Sequence, residues 1–299
     1  MPQLFGPRQT IFTILFRFAD NSCMSTPSNT PQTLAFIGGG NMASAIIGGL
    51  IKDGTPASSI MVVEPFADAR QRLQAQFGVR VLAEANASLA EASLVIWAVK
   101  PQTFKEAAQQ TRQFCANALH LSVAAGIRSD SIANWLGTQR VVRAMPNTPA
   151  LVGLGQTGLF ARTAVTPQDK TWVEQVVATT GALLWVSDEP LLDAVTAISG
   201  SGPAYVFFFI EAMIEAGTKM GLTHEQAHQL AVGTFVGASE LARSASEPPS
   251  VLRERVTSKG GTTYAAITSM QEAGMASLFE TALKAAQHRA KELGDAFGT

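Results

Sequence analysis

The segment around Gly38-Gly39-Gly40 constrains this chain more than any other feature. It follows Thr33–Ile37, TLAFI, a short apolar run that suits a strand buried on both faces of a parallel sheet. It precedes a helical pattern running from Asn41 to about Lys52. Strand, tight turn and helix are therefore joined by Gly38-x-Gly40-x-x-Ala43, and each small residue has a steric duty. Gly38 permits the turn, Gly40 lets an anion approach the backbone, and Ala43 lets the helix pack close to the strand. The helix start offers unpaired N–H groups and a partial positive charge to phosphates. In this context the pattern implies a dinucleotide site, with Ile37, Gly38, Gly39, Gly40, Asn41 and Met42 as candidate contacts. Glu64, at the end of the second strand, is placed to accept hydrogen bonds from a ribose 2′-hydroxyl and to repel a 2′-phosphate. That favours NADH, although Arg70 or Arg72 could offset the repulsion for NADPH.

The alternation continues through the first half of the chain. Strands are expected at Ile60–Glu64, Leu94–Val99, Leu119–Ala125 and Arg140–Met145, with weaker ones near Gly158–Phe160 and Leu183–Val186. Helices are expected at Ala67–Phe77, near Ser129–Leu136 and near Gln168–Thr180. Such a pattern predicts a parallel sheet with helices on both faces. After about Ser187 only helical segments are expected, at Pro203–Met220, His224–Ser244 and Gly274–Leu293, with a shorter one near Tyr264–Met270. The expected organisation is a Rossmann-like α/β domain over 32–187 followed by an all-α domain over 188–299. Residues 1–31 are expected to be disordered or poorly packed. Residues 1–23 read as an extension upstream of Met24, with a secretory signal at Thr10–Phe16 as the alternative.

The Ala194–Ile210 stretch is apolar but contains Ser199-Gly200-Ser201-Gly202-Pro203 and is bounded by Asp193 and Glu211. It reads as a buried core helix beginning after that turn, rather than a membrane span. PAYVFFFIEAMIEAG is apolar nearly all round and needs cover on several sides, so subunit association is expected. A net charge of −1 gives no basic surplus for nucleic acid. The two cysteines, Cys23 and Cys115, form no metal-type or CxxC spacing, which fits a reducing cytoplasm. His224-Glu225-x-x-His228 has the spacing of a zinc site, with Glu247 downstream. Thr223 and Gln226, however, form a capping-box pattern, and Glu247 precedes Pro248-Pro249. An ordinary helix start without metal is expected.

Five further motifs have no generic explanation. They are Ala98-Val99-Lys100-Pro101, Ser122-Val123-Ala124-Ala125-Gly126, Met145-Pro146-Asn147-Thr148-Pro149, Ser199-Gly200-Ser201-Gly202-Pro203-Ala204-Tyr205, and Val256-Thr257-Ser258-Lys259-Gly260-Gly261-Thr262-Thr263. In order and spacing they resemble the pyrroline-5-carboxylate reductase family from about Thr33 to the C-terminus. The resemblance implies a Rossmann-like domain followed by a helical dimerisation domain, NADPH or NADH as hydride donor, and a cyclic imine substrate. It implies that Ala98, Val99, Lys100 and Pro101, with Ala124, Ala125 and Gly126, line the nicotinamide half, and that Asn86 contacts the adenosine end. It places the substrate at Ser258, Gly260, Gly261, Thr262 and Thr263, before a helix starting near Tyr264. Thr263 would meet the ring nitrogen and Ser258 the carboxylate. It also implies dimers, in some members assembled further into decamers. Three positions depart from the commonest pattern: Lys259 stands where proline is frequent, Arg255 where some members have asparagine, and Glu64 where some have serine or threonine. Another cyclic-imine reductase, a 2-hydroxyacid dehydrogenase and a non-enzymatic NAD(P)H-binding regulator remain the alternatives.

Overall fold

Residues 33–297 are described by a computed structural model; the expectations for residues 1–31 lie outside them. The chain runs β1 (Thr33–Ile37), α1 (Asn41–Lys52), β2 (Ile60–Val63), α2 (Ala67–Phe77), β3 (Arg80–Leu82), β4 (Ala92–Trp97), α3 (Pro101–Thr111), β5 (Leu119–Ser122), α4 (Ser129–Leu136), β6 (Val141–Met145), β7 (Gly155–Ala161), α5 (Pro167–Ala178) and β8 (Gly181–Trp185). Helices alone follow among the described residues: α6 (Leu191–Val195), α7 (Gly202–Lys219), α8 (His224–Ser244), α9 (Pro249–Arg255), α10 (Thr262–Glu272) and α11 (Met275–Ala296).

The eight strands form one sheet in the order β3-β2-β1-β4-β5-β6-β7-β8. Both faces of the central strands are apolar, as the TLAFI run required. Leu34 and Phe36 pack under α1, α2 and α5, whereas Ala35 and Ile37 pack under α3 and α4. On the second face Trp97 stacks on Phe104 and its indole N–H donates to His120 Nδ1 at 3.1 Å. Burial, followed by the nearby Arg140 charge, lowers the His120 pKa from 6.5 to about 4.

The sheet is not wholly parallel. β6 and β7 are antiparallel, with Val142 opposite Ala161 and Met145 opposite Gly158. Residues 146–154 are too few for the crossover a parallel pair needs, which takes a dozen residues or more. Four elements escaped the sequence reading, the five-residue α6 among them. β3 is a three-residue edge strand, Arg-Val-Leu, too short to show a period. α3 starts directly at Pro101, which serves as the first helical residue. α9 is a seven-residue helix that likewise opens on proline.

The stretch after Asp193 is also corrected. Ser199-Gly200 does not end a run at a turn. Residues Thr196–Gly200 form a π-helical turn between α6 and α7, with the Ser201 N–H bonded to the Thr196 carbonyl at 2.8 Å. Nor is α7 a buried core helix, because only Gly217 is buried along it and Phe207 and Phe208 are more than half exposed. By length and composition Leu191–Lys219 could cross a membrane.

Candidate active site

The strand order places the carboxyl ends of β1 and β4 side by side where the winding of the sheet reverses, the position where open α/β folds bind ligands. Gly38 has φ +94°, and a Cβ there would stand 2.7 Å from the Ala98 carbonyl oxygen. Backbone and space both demand glycine. The Ala98 N–H donates back to the Ile37 carbonyl at 2.8 Å, so the first turn lies directly on the end of β4. Gly40 caps α1 without a side-chain hydrogen bond, and a Cβ on it would meet nothing within 4 Å. The first turn of α1 thus presents unsatisfied N–H groups beside open space, which fits a pyrophosphate.

Glu64 follows β2 directly and is only 7% exposed. Its Oε2 accepts the Gly39 N–H at 2.9 Å and its Oε1 the Phe66 N–H at 3.0 Å. Arg70 Nη1 donates to the Glu64 and Pro65 carbonyls at 2.8 Å each. The acid therefore braces the glycine turn. Asn86 lies beyond β3 on the same edge and is exposed; its Oδ1 accepts the Ser88 N–H at 3.0 Å and the Ser88 hydroxyl at 2.7 Å. Lys100 caps α3 without a side-chain bond and Pro101 opens the helix. Ala124 is buried, with its N–H near the Ser122 hydroxyl at 3.3 Å, whereas Ala125 is exposed. Gly126, at φ +71°, is covered by Leu293 and Phe297 at the end of α11. The loops after β1, β2, β3, β4 and β5 thus bring every candidate cofactor residue to one edge of the sheet.

The Ser258–Thr263 segment is built differently from the expectation. α10 starts at Thr262 rather than near Tyr264, so Thr262 and Thr263 lie in its first turn. Gly260 has φ +75°, and the Gly261 N–H turns back to the Ser258 carbonyl at 2.9 Å. Gly261 caps the helix with no side-chain bond. Ser258, Lys259 and Gly260 are exposed and Thr263 is half-buried. The hydrogen bonds of this segment are local, and none joins it to the sheet edge among the described residues. Arg255 is paired with Glu247. At His224 the expected capping box is present: the Gln226 N–H reaches Thr223 Oγ1 at 3.2 Å and the Thr223 N–H reaches Gln226 Oε1 at 2.9 Å. His224 and His228 are exposed, and no cluster of three or more metal-type side chains occurs among the described residues.

Residues 33–126 match the family model described as NADP oxidoreductase, coenzyme F420-dependent, and residues 189–293 match pyrroline-5-carboxylate reductase dimerisation. The pyrroline-5-carboxylate reductase of Pseudomonas aeruginosa is 43% identical over 277 residues, covering 92% of this chain and 100% of the relative. The chain belongs to the pyrroline-5-carboxylate reductase family. The Arabidopsis thaliana reductase is 36% identical over 262 residues, covering 87% of this chain and 95% of its own. Among solved structures, the Coxiella burnetii pyrroline-5-carboxylate reductase superposes with a TM-score of 0.84 at 38% identity, covering 88% of this chain and 99% of that one. The Plasmodium falciparum pyrroline carboxylate reductase, solved with NADP bound, gives 0.78 at 27% identity, covering 88% and 98%.

Within this reductase fold, sequence reasoning missed the groups that fasten the helices to the sheet. Arg128, two residues beyond Gly126, forms a two-pronged pair with Asp193 at 3.0 and 3.1 Å. Arg143, buried in β6, reaches Glu189, which also accepts the Ser129 N–H at 2.6 Å. Burial lowers the Arg143 pKa, and Glu189 opposes that shift. An arginine inside the apolar run VVRAM was the available signal, but its partner lies 46 positions away. A groove of about 560 Å³ opens beside Asn147, Gln156, Ser199 and Tyr205 at the same seam. A larger one, about 750 Å³, is mostly apolar and lies among the helices, lined by Phe209, Met213, Phe235, Ile267 and Met270.

Proposed function

We infer that the chain reduces L-1-pyrroline-5-carboxylate to L-proline, the last step of proline synthesis, with NADPH or NADH. The observation that carries this reading is full-length identity of 43% to a pyrroline-5-carboxylate reductase, on a chain whose β1–α1 turn is shaped for pyrophosphate. In this reading Ile37–Met42 hold the pyrophosphate, and Glu64 and Asn86 the adenosine end. Ala98–Pro101 and Ala124–Gly126 line the nicotinamide half. Bound there, a dihydronicotinamide would supply the hydride for the imine carbon. The protein's own residues position and shield. A protonated cyclic imine is already electrophilic, so no strong acid is required. The bare start of α10, with Gly260 and Gly261 before it, suits the substrate carboxylate, and Ser258 stands beside it. The Thr263 hydroxyl orients the ring nitrogen; as an alcohol it is a poor general acid.

The reading extends to assembly and place. Residues 32–187 form the cofactor domain and 188–299 the helical domain. Phe207, Phe208, Val236 and Leu241 are exposed, and a second copy of the chain covers them, rather than a bilayer covering Leu191–Lys219. The protein works in the cytoplasm as a homodimer, with a decamer as the further state. Alanine substitution across Ser258–Thr263 tests the site. Turnover of pyrroline-5-carboxylate should fall at least about a hundredfold while dinucleotide affinity holds. Unchanged turnover would remove the loop from the substrate site, and an inactive wild type that still binds dinucleotide would favour the regulator.

A further inference from the structure

Pro203 has no N–H, so the Ser199 carbonyl four residues earlier loses the donor a regular helix would supply. The structure replaces that donor from outside the helix. Asn147 Nδ2 donates to the Ser199 carbonyl at 3.1 Å and to its hydroxyl at 3.2 Å. The other end of the same side chain is engaged too, because Asn147 Oδ1 accepts the Gln156 N–H at 2.9 Å. The Ser199 hydroxyl closes the ring at 3.4 Å from the Gln156 carbonyl. Asn147 is 8% exposed, so these bonds form largely out of water, where an unpaired amide is costly.

The ring joins parts that the proposed reaction must hold in register. Asn147 follows β6, the strand beside β5 and its Ala124–Gly126 loop. The turn Thr148–Val152 that it opens packs against α1, the phosphate-facing helix. On the other side, Ser199 lies in the π-turn at the root of α7, the helix that leads into the helical half. Gly158 lets the two surfaces approach, because a Cβ on it would collide with the branched side chain of Val195. π-turns recur at functional sites, and this one has its freed carbonyl held by a residue of the loop after β6.

We propose that Asn147 is a positioning residue: by standing in for the donor Pro203 lacks, it fixes the root of the helical half against the cofactor edge, and so sets the distance for hydride transfer. This rests on the reductase reading above. Asn147 touches neither cofactor nor substrate in this role, so its loss should act on the chemical step and not on dinucleotide binding.

The test compares wild type, N147A and N147D, with steady-state turnover of pyrroline-5-carboxylate and fluorescence titration of NADH and NADPH. In N147A, kcat should fall about tenfold to a hundredfold, the scale of a misplacement near 1 Å. Dinucleotide Kd should stay within about twofold. N147D keeps the acceptor for Gln156 and loses the donor, so its kcat relative to wild type should rise as pH falls and the carboxyl regains a proton to donate. Kcat within about twofold of wild type in N147A would overturn the proposal. So would a Kd that weakens as much as kcat falls, or an N147D-to-wild-type ratio flat with pH. An inactive wild type would instead sink the reductase reading itself, and this proposal with it. If N147A does not fold, N147D alone carries the comparison.

Discussion

Glu64→Ser is the most informative single change at the cofactor edge. The carboxylate accepts two backbone N–H groups, from Gly39 and Phe66, at 2.9 and 3.0 Å, and is 7% exposed. Each such charge-assisted bond is worth about 1.5–3 kcal/mol when buried. With part of the loss offset where the freed N–H groups regain water in the variant, about 2 kcal/mol of stability should go. The effect on cofactor choice has the opposite direction for NADPH. A 2′-phosphate brings roughly −1.5 to −2 charges beside the carboxylate. At roughly 5 Å and an effective dielectric constant of about 20, each unit of like charge costs about 3 kcal/mol. Solvent at the rim screens about half of that, leaving at least about 1.4 kcal/mol, a factor of about ten. The assay is kcat/KM for NADH and NADPH side by side, on wild type and variant. The wild type should use NADH at least as well as NADPH, and Glu64→Ser should shift the ratio about tenfold towards NADPH. A ratio unchanged within about twofold, in folded variant protein, would refute the electrostatic argument.

Three further outcomes are expected. His120 has its folded pKa lowered to about 4 from 6.5, so the unfolded chain binds the proton more readily; its contribution is complete above about 6.5 and is lost as pH falls towards 4. That amounts to about 3 kcal/mol, so urea unfolding should show a shallower loss between pH 7 and 4.5 in His120→Gln than in wild type, and equal slopes would count against it. Gly38→Ala forces a Cβ to 2.7 Å from the Ala98 carbonyl at φ +94°, so dinucleotide affinity should drop at least about a hundredfold by titration calorimetry. Phe208→Asp on the exposed face of α7 should turn a dimer into a monomer in light scattering; an unchanged assembly would place the interface elsewhere.

Much of the cofactor half was legible because its signals are local. α1, α2, α4 and α8 begin and end where the residue pattern placed them, since caps, glycines and apolar periods act within a turn or two of the chain. The capping box at Thr223 was legible for the same reason: it needed only residues three positions apart. The antiparallel β6–β7 pair could also have been foreseen from the short 146–154 connection, but the run of strands suggested uniform direction. β3, α3, α6 and α9 were too short, or began too unobtrusively, to register.

By itself, then, the sequence determined the β1–turn–α1 unit, the alternation that builds the sheet, and the family motifs at its carboxyl edge, because each depends on neighbours in the chain. The tertiary structure alone decided how those motifs meet. Asn147 finds Ser199 across 52 positions, Arg128 finds Asp193 across 65, and Glu64 finds Gly39 across 25. It also decided that α7 lies open: an apolar helix reads as core whether its cover comes from its own chain or from another. Pairing between distant polar groups is set by the geometry of the packed strands and helices between them, which no local pattern of residue types records.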